Sequence, residues 1–240
     1  MPCAIALSPR RCALLLPALL LSAPSQAARP MATDDARIVD AKACQVESWV
    51  RRNRHSTEFW ALPACNPTGG AELTLGGAHQ GGSAEDGPAR NLGVMQAKTL
   101  LKPLETNGWG VGLSVGLVER LRTPRSGDPY LNLPMSWSLR DDQLFLHANL
   151  GWLREHERAS QRHRLTWGLA TEAQLHQRAW LIAETFGQQS GKPSFQFGLR
   201  LWLIPDRVQV DTTYGSRFGN HRDERWISIG LRLLTPAFLP

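Results

Sequence analysis

The sequence predicts an all-β fold, an antiparallel transmembrane β-barrel of twelve strands, from three observations. At 109–117 the chain reads Trp-Gly-Val-Gly-Leu-Ser-Val-Gly-Leu, with a large apolar side chain at every odd position and glycine or serine at every even one. Such a period of two marks a strand with one apolar face. Similar alternation returns at 131–140, 144–153, 164–175, 195–203 and 227–233, in stretches of about nine to eleven residues, the length a tilted strand needs to cross a bilayer. The third observation is the length of the connections, which are short on one side of the sheet and longer on the other.

The first 27 residues stand apart. Basic Arg10 and Arg11 precede an apolar run at 13–23 and then Pro24-Ser25-Gln26-Ala27, whose small residues suit a peptidase cutting after Ala27. This is the pattern of a secretory signal peptide, and the apolar run is far shorter than the ~20 residues of a membrane-spanning helix. Cys12 lies before that run, on the wrong side for lipid attachment. Residues 28–42 are then expected to form a short periplasmic segment and 43–240 the barrel.

Two antiparallel strands, 43–52 and 57–66, are expected to open the barrel. A turn centred between Arg54 and His55 places Cys44 opposite Cys65, Trp49 opposite Trp60 and Arg51 opposite Glu58. Directly opposed residues sit ~4.5–5.5 Å apart at Cα, within reach of a disulfide, and the periplasm oxidises. A Cys44–Cys65 disulfide is expected. Weaker alternation and Pro63 leave an alternative, a ten-stranded barrel with this hairpin outside it in the periplasm.

The next strand, 71–78, follows Gly69-Gly70, and 94–102 follows a stretch rich in Gly, Ser and Asp and ends before Pro103. After 109–121 comes 130–139, where Leu131, Leu133, Met135, Trp137 and Leu139 alternate with Asn132, Pro134, Ser136 and Ser138. Strand 144–155 sets Leu146, Leu150 and Trp152 against His147 and Asn149, and 163–175 sets Leu165, Trp167 and Leu169 against Arg164, Glu172 and Gln174. Segment 179–189 does not sort, because Trp180, Ile182 and Phe186 share a parity with Glu184. Strands 194–205, 208–218 and 225–235 complete the set, with Gln196, Arg200, Gln209, Asp211, Ser228 and Arg232 on their polar face.

With both termini in the periplasm, the outer loops are 53–56, 79–93, 122–129, 156–162, 190–193 and 219–224. The periplasmic turns are 67–70, 103–108, 140–143, 176–178 and 206–207. The longest connection falls outside and the shortest inside, as in bacterial outer-membrane barrels. An even strand count also lets the sheet close, removing edges that lipid cannot solvate.

Turning the apolar faces to lipid leaves a polar interior. Its expected lining includes Glu72, Lys98, His147, Asn149, Arg164, Glu172, Arg200, Asp211 and Arg232, with Glu47 and Arg51 if the first hairpin belongs. Opposite charges there either pair across the lumen, filling it, or flank a narrow water path, since barrel diameter grows with strand number. Gly110, Gly112, Ser114 and Gly116 face the lumen with little side chain, so an open path is expected beside that strand. Nine tryptophans suggest interfacial girdles, with Trp109 and Trp180 on the periplasmic side and Trp152, Trp167 and Trp226 towards the outside.

Candidate chemistry is sparse. His147 and Asn149 share a face beside Ser136 and Ser138, the one grouping suited to a lipid hydrolase, yet it points into the barrel and away from acyl chains. His55, His79, His156, His163, His176 and His221 lie in or beside loops and turns without paired ligand spacing. The glycine pairs fit turns, and neither a metal nor a cofactor is expected. Without Arg10 and Arg11, 25 basic residues face 21 acidic ones, about +4, with no long basic run, which argues against nucleic acid.

Over 43–239 the chain resembles small proteobacterial outer-membrane barrels, and stretches such as Cys44-Gln-Val-Glu-Ser-Trp49 and Trp60-Ala-Leu-Pro-Ala-Cys65 are similar to those of the phenol-degradation MetA-pathway barrel family. The final strand resembles the insertion signal of such barrels in Ser228, Gly230 and Leu233, but the chain ends in Pro240 where the signal has an aromatic residue. The expected protein is a non-enzymatic barrel of the Gram-negative outer membrane, either a narrow pore for small polar solutes or a structural or binding barrel. Its partners are outer-membrane lipid and the barrel-insertion machinery. The alternatives are an outer-membrane lipid hydrolase using His147 and a soluble exported barrel binding an apolar ligand.

Overall fold

The computed structural model describes residues 31–81, 90–121, 127–156, 162–219 and 224–240. The expected signal peptide at 1–27 lies outside the described residues, as does His221. Twelve strands follow in order: β1 (Cys44–Asn53), β2 (Thr57–Cys65), β3 (Ala71–Gly81), β4 (Arg90–Lys102), β5 (Trp109–Arg120) and β6 (Asp128–Leu139). The second half comprises β7 (Leu144–Arg154), β8 (His163–His176), β9 (Ala179–Gln188), β10 (Ser194–Ile204), β11 (Val208–Arg217) and β12 (Trp226–Leu234). Every strand pairs antiparallel with its sequence neighbour, and β12 pairs with β1 to close the barrel. The first hairpin is therefore part of a twelve-stranded wall, and no sheet edge is left for lipid to solvate.

The β1–β2 register is the one the cysteines predict. Cys44 pairs with Cys65, Trp49 with Trp60 and Arg51 with Glu58. The disulfide is formed, the two indoles stack with centroids 5.2 Å apart, and Arg51 Nε lies 3.8 Å from Glu58 Oε1.

The barrel is inside-out relative to a soluble one. Leu75, Leu150, Leu165, Leu169, Leu199 and Ile229 are exposed on the outer surface, while Lys98, Glu172, Arg200 and Arg232 are buried within. Leucine and isoleucine outside and ions inside is the arrangement hydrocarbon selects. The chain ends meet at one rim, where the amides of Phe238 and Leu239 donate to the Lys42 carbonyl at 2.9 and 3.0 Å. Tight turns gather at that rim, helped by left-handed Asn107, Asp141, Asp142 and Asp206, residue types whose short polar side chains tolerate such a backbone.

Four expectations change. The third and fourth strands run on to Gly81 and from Arg90, because ladder hydrogen bonding continues after the apolar alternation stops. Strand β9 turns Trp180, Ile182 and Glu184 inward and Leu181 outward. Trp180 and Trp226 therefore pack inside the barrel and are not girdle residues, whereas Trp109 is exposed as expected. Finally, residues 31–39 do not lie below the barrel as a periplasmic segment: they run through its interior, because polar groups on β3, β4, β6, β7 and β9, with Asn66 after β2, take up their backbone and charges.

Candidate functional site: a plugged lumen

Segment 31–39 is short and without regular hydrogen bonding of its own, so its amides must find partners elsewhere. The wall supplies them. Glu184 accepts the amides of Ala32 and Thr33 at 2.8 and 2.7 Å, and Ser136 Oγ accepts that of Ala36 at 2.8 Å. Asn149 accepts the Asp34 amide and donates to the Asp34 carbonyl, each at 2.7 Å. Lower down, Glu72 accepts the Val39 amide at 2.9 Å and Asn66 donates to the Val39 carbonyl at 2.8 Å.

Charge is matched as well. Lys98 Nζ lies 2.9 Å from Asp34 Oδ1 and 3.5 Å from Asp35 Oδ1, with the lysine 2 % exposed. A buried ammonium is costly unless paired and hydrogen-bonded, and this one is held by the segment's two carboxylates. The Arg37 guanidinium sits 4.1 Å above the Phe145 ring. Apolar contacts complete the fit: Met31 packs with Ala170 and Ile182, and Thr33 lies over Gly168, where a Cβ would come within 2.4 Å of its hydroxyl.

Beneath the segment, Phe145, Trp180 and Trp202 form an apolar floor with Leu104 and Leu234 packed on it. These residues sit at the ends of their strands nearest the rim where residues 42 and 238–239 meet. They pack on the β7 to β10 side, and segment 31–39 passes Glu72 and Asn66 near β2 and β3.

The residues expected to line the lumen are buried, Asn149 in part, and they fall into distinct groups. Glu72, Lys98 and Asn149 hold the segment. His147, Glu172 and Arg200 form a row, with His147 Nε2 3.4 Å from Glu172 Oε1 and Arg200 2.5 Å from Glu172 Oε2. Arg232 on β12 reaches Gln45 Oε1 at 2.8 Å and Glu47 at 3.7 Å. Asp211 on β11 has its carboxylate over Gly230, where a Cβ would meet Oδ1 at 2.4 Å. Arg164 stands apart near the outer rim and donates to Ser190 Oγ at 3.0 Å.

The Ser136–His147 pair expected from the register exists, with Oγ 2.8 Å from Nδ1. Both residues are buried, and the serine oxygen already accepts the Ala36 amide. The arrangement is one of anchorage, with no approach for an acyl chain from the lipid side.

The glycine face of β5 is not bare. Leu104 folds over Gly110, its amide nitrogen 2.6 Å from where a Cβ would stand. The Tyr130 ring crosses Gly116 so that its hydroxyl donates to Gln96 on β4 at 2.7 Å. Open space lies instead on the β6 to β10 side, above the segment. A cavity of about 760 Å³ is lined there by Ala32, Asn132, Asn149, Arg164, Phe186 and Lys192, among others. A far smaller gap, about 40 Å³, remains beside Lys98, Glu72 and Glu47. The lumen thus keeps an open vestibule that reaches down to Ala32 of the segment.

The sequence gives little sign of these functions for Glu184, Gly168 or the segment itself. Their relevant contacts span more than a hundred residues and follow no period.

Solved structures share the architecture. A KdgM porin matches with a TM-score of 0.62 at 8% identity, over 79% of this chain and 98% of its own. A NanC porin matches at 0.59 and 11%, with the same coverage. The COG4313 outer membrane channel from Pseudomonas putida F1 matches at 0.55 and 9%, over 84% and 98%. At such identities the likeness is one of fold, that of outer-membrane barrels. No curated protein matches the sequence. Residues 15–234 match the family model described as Uncharacterised conserved protein UCP029691, and the chain belongs to that family.

Proposed function

We propose that the protein is a non-enzymatic outer-membrane barrel that admits small polar solutes and is held shut by its own residues 31–39. The observation that carries this reading is the fit of that segment in the lumen, where Glu184 engages Ala32 and Thr33, Asn149 and Lys98 engage Asp34, Ser136 engages Ala36 and Glu72 engages Val39. A purely structural barrel has no need of an interior segment held by exchangeable polar contacts. Such contacts suit a plug, because each bond released inside a wet lumen is replaced by one to water.

The apolar outer surface supports residence in the membrane and argues against a soluble exported barrel. The fold neighbours are porins and channels, and one structure of the KdgM porin is in complex with oligogalacturonate, a polar solute. The likeness to phenol-degradation MetA-pathway barrels is kept as a proposal about architecture alone. Signal cleavage after Ala27 and assistance by the insertion machinery belong to the same reading.

Conductance across a planar bilayer tests it. The intact mature chain is expected to be closed with rare opening steps, and a chain lacking 31–39 to show sustained steps. A deleted chain that keeps the heat-dependent gel mobility of a folded barrel yet passes no current refutes the pore. An intact chain that is steadily open refutes the plug.

A further inference from the structure

Side chains of the barrel hold residues 32–39 mostly by the main chain. Glu184 accepts the amides of Ala32 and Thr33, Ser136 that of Ala36 and Glu72 that of Val39, while Asn149 both accepts from and donates to the Asp34 backbone. Amides and carbonyls belong to every peptide, so this part of the grip is blind to sequence.

Side chains of the segment are read at a few positions. Asp34 and Asp35 share one cation, Lys98, at 2.9 and 3.5 Å. Thr33 and Ala36 on either side have no room to be larger: Thr33 lies on Gly168, and Ala36 is fully buried against Ser136. Main-chain bonds for affinity and a few side-chain positions for specificity are how proteins recognise peptides. The lumen therefore reads a run of small, acidic, acidic and small residues on a peptide backbone. The vestibule leads to the same groups, since its lining includes Asn149, Gly168 and Ala32 itself. Among the described residues that lining holds no carboxylate to repel an acid.

We infer that the wall behind the plug is a binding site for short acidic peptides, that residues 31–39 occupy it as a built-in imitation of that ligand, and that a peptide arriving through the vestibule displaces them. The inference rests on the reading of residues 31–39 as a plug and names the solute class that opens it. A tethered segment holds its site at an effective concentration on the order of 1 mM, so an incoming peptide gains ground where the plug lets go first, at Asn149 beside the vestibule.

Fluorescence anisotropy on the detergent-solubilised full mature chain tests this. The probe is a capped, dye-labelled copy of residues 32–37, Ala-Thr-Asp-Asp-Ala-Arg, and a counterpart with Asn-Asn lacks only the two charges. In a chain carrying Thr33→Trp/Ala36→Trp the plug no longer fits and every wall residue is native; Ala36→Trp alone serves if the double variant fails to fold. Saturable binding of the probe to this unplugged chain is expected, at least tenfold tighter than to the parent and tenfold tighter than that of the Asn-Asn peptide. Oligogalacturonate, an acid without a peptide backbone, is expected to compete at least tenfold less well than unlabelled probe. Lys98→Met in the unplugged chain is expected to weaken the probe tenfold or more, and Asn149→Ala several-fold, which keeps the test open if Lys98→Met loses the compact gel band. Equal binding of the Asn-Asn peptide, equal competition by oligogalacturonate, equal binding to the parent, no binding up to about 5 mM, or folded wall variants that bind as the native wall does would each overturn the inference. A chain that passes no current yet binds the probe refutes the pore alone, and one that conducts when unplugged yet binds no probe refutes this inference alone.

Discussion

Asn149 clasps Asp34 twice: its side-chain oxygen accepts the Asp34 N–H and its side-chain amide donates to the Asp34 carbonyl, both at 2.7 Å. A residue of the wall thus imitates a strand neighbour for a segment that has none. Asn132 steadies it by donating to the same oxygen at 3.1 Å.

Replacing Asn149 by Ala removes both bonds and leaves the Asp34 backbone unsatisfied in the closed state, a cost of about 1–3 kcal/mol. The open fraction in bilayer recordings is expected to rise roughly tenfold, with single-step amplitude unchanged. An unaltered open fraction contradicts the clasp.

Lys98 faces two carboxylates of the plug. Lys98→Met leaves Asp34 and Asp35 buried without their cation, and breaking a buried pair in this way costs about 3–5 kcal/mol. That approaches the ~5.5 kcal/mol that carries a two-state equilibrium from almost wholly closed to almost wholly open. Recordings of Lys98→Met are expected to show a mostly open barrel. Adding Asp34→Asn and Asp35→Asn to the same chain is expected to restore much of the closure, since the uncompensated charges are then gone.

Gly168 carries a steric prediction that leaves charge untouched. The three atoms nearest to a Cβ at this position all belong to Thr33, at 2.4, 3.2 and 3.3 Å. Gly168→Val should therefore expel the plug while sparing the wall. The expected result is sustained conductance together with an unchanged heat-dependent gel shift. Loss of the folded band would show that Gly168 serves the wall itself.

Much of this architecture is legible in the sequence because lipid reads only one face of each strand. Leu165, Leu169 and Leu199 had to be apolar, so a period of two survives there. Beyond the bilayer that demand lapses, which is why the ends of β3 and β4 were hidden among Gly, His and Gln. Strand β9 resisted sorting for the opposite reason: Trp180 belongs to the apolar floor and Ile182 packs on Met31, so its inner face is as greasy as its outer one. The lining ions were visible as polar residues of constant parity. Their partners were not, since Asp34 with Lys98 or Ala32 with Glu184 is a match between a short irregular segment and distant strands. No local pattern encodes such a match, and the resemblance to known barrels does not extend to it.

The Cys44–Cys65 bridge ties the strand that closes the barrel to its neighbour, with 21 residues of separation. A link over a loop of this length contributes about 2–4 kcal/mol, chiefly by restricting the unfolded chain. Cys44→Ser/Cys65→Ser is expected to lower the temperature at which the compact gel band is lost while leaving conductance as in the parent. An equal transition temperature would mean that Trp49 stacking on Trp60 and the β1–β12 ladder already fix the hairpin.

The most direct test of the plug is to lock it in place. Ala36 N lies 2.8 Å from Ser136 Oγ, so Ala36→Cys with Ser136→Cys, in a chain already lacking Cys44 and Cys65, puts one cysteine on the plug and one on the wall where the two are in contact. With the new disulfide formed, bilayer recordings are predicted to lose even the rare openings of the intact chain, and reductant is predicted to bring them back. Current that flows equally through the oxidised and reduced protein would contradict the claim that residues 31–39 close this barrel.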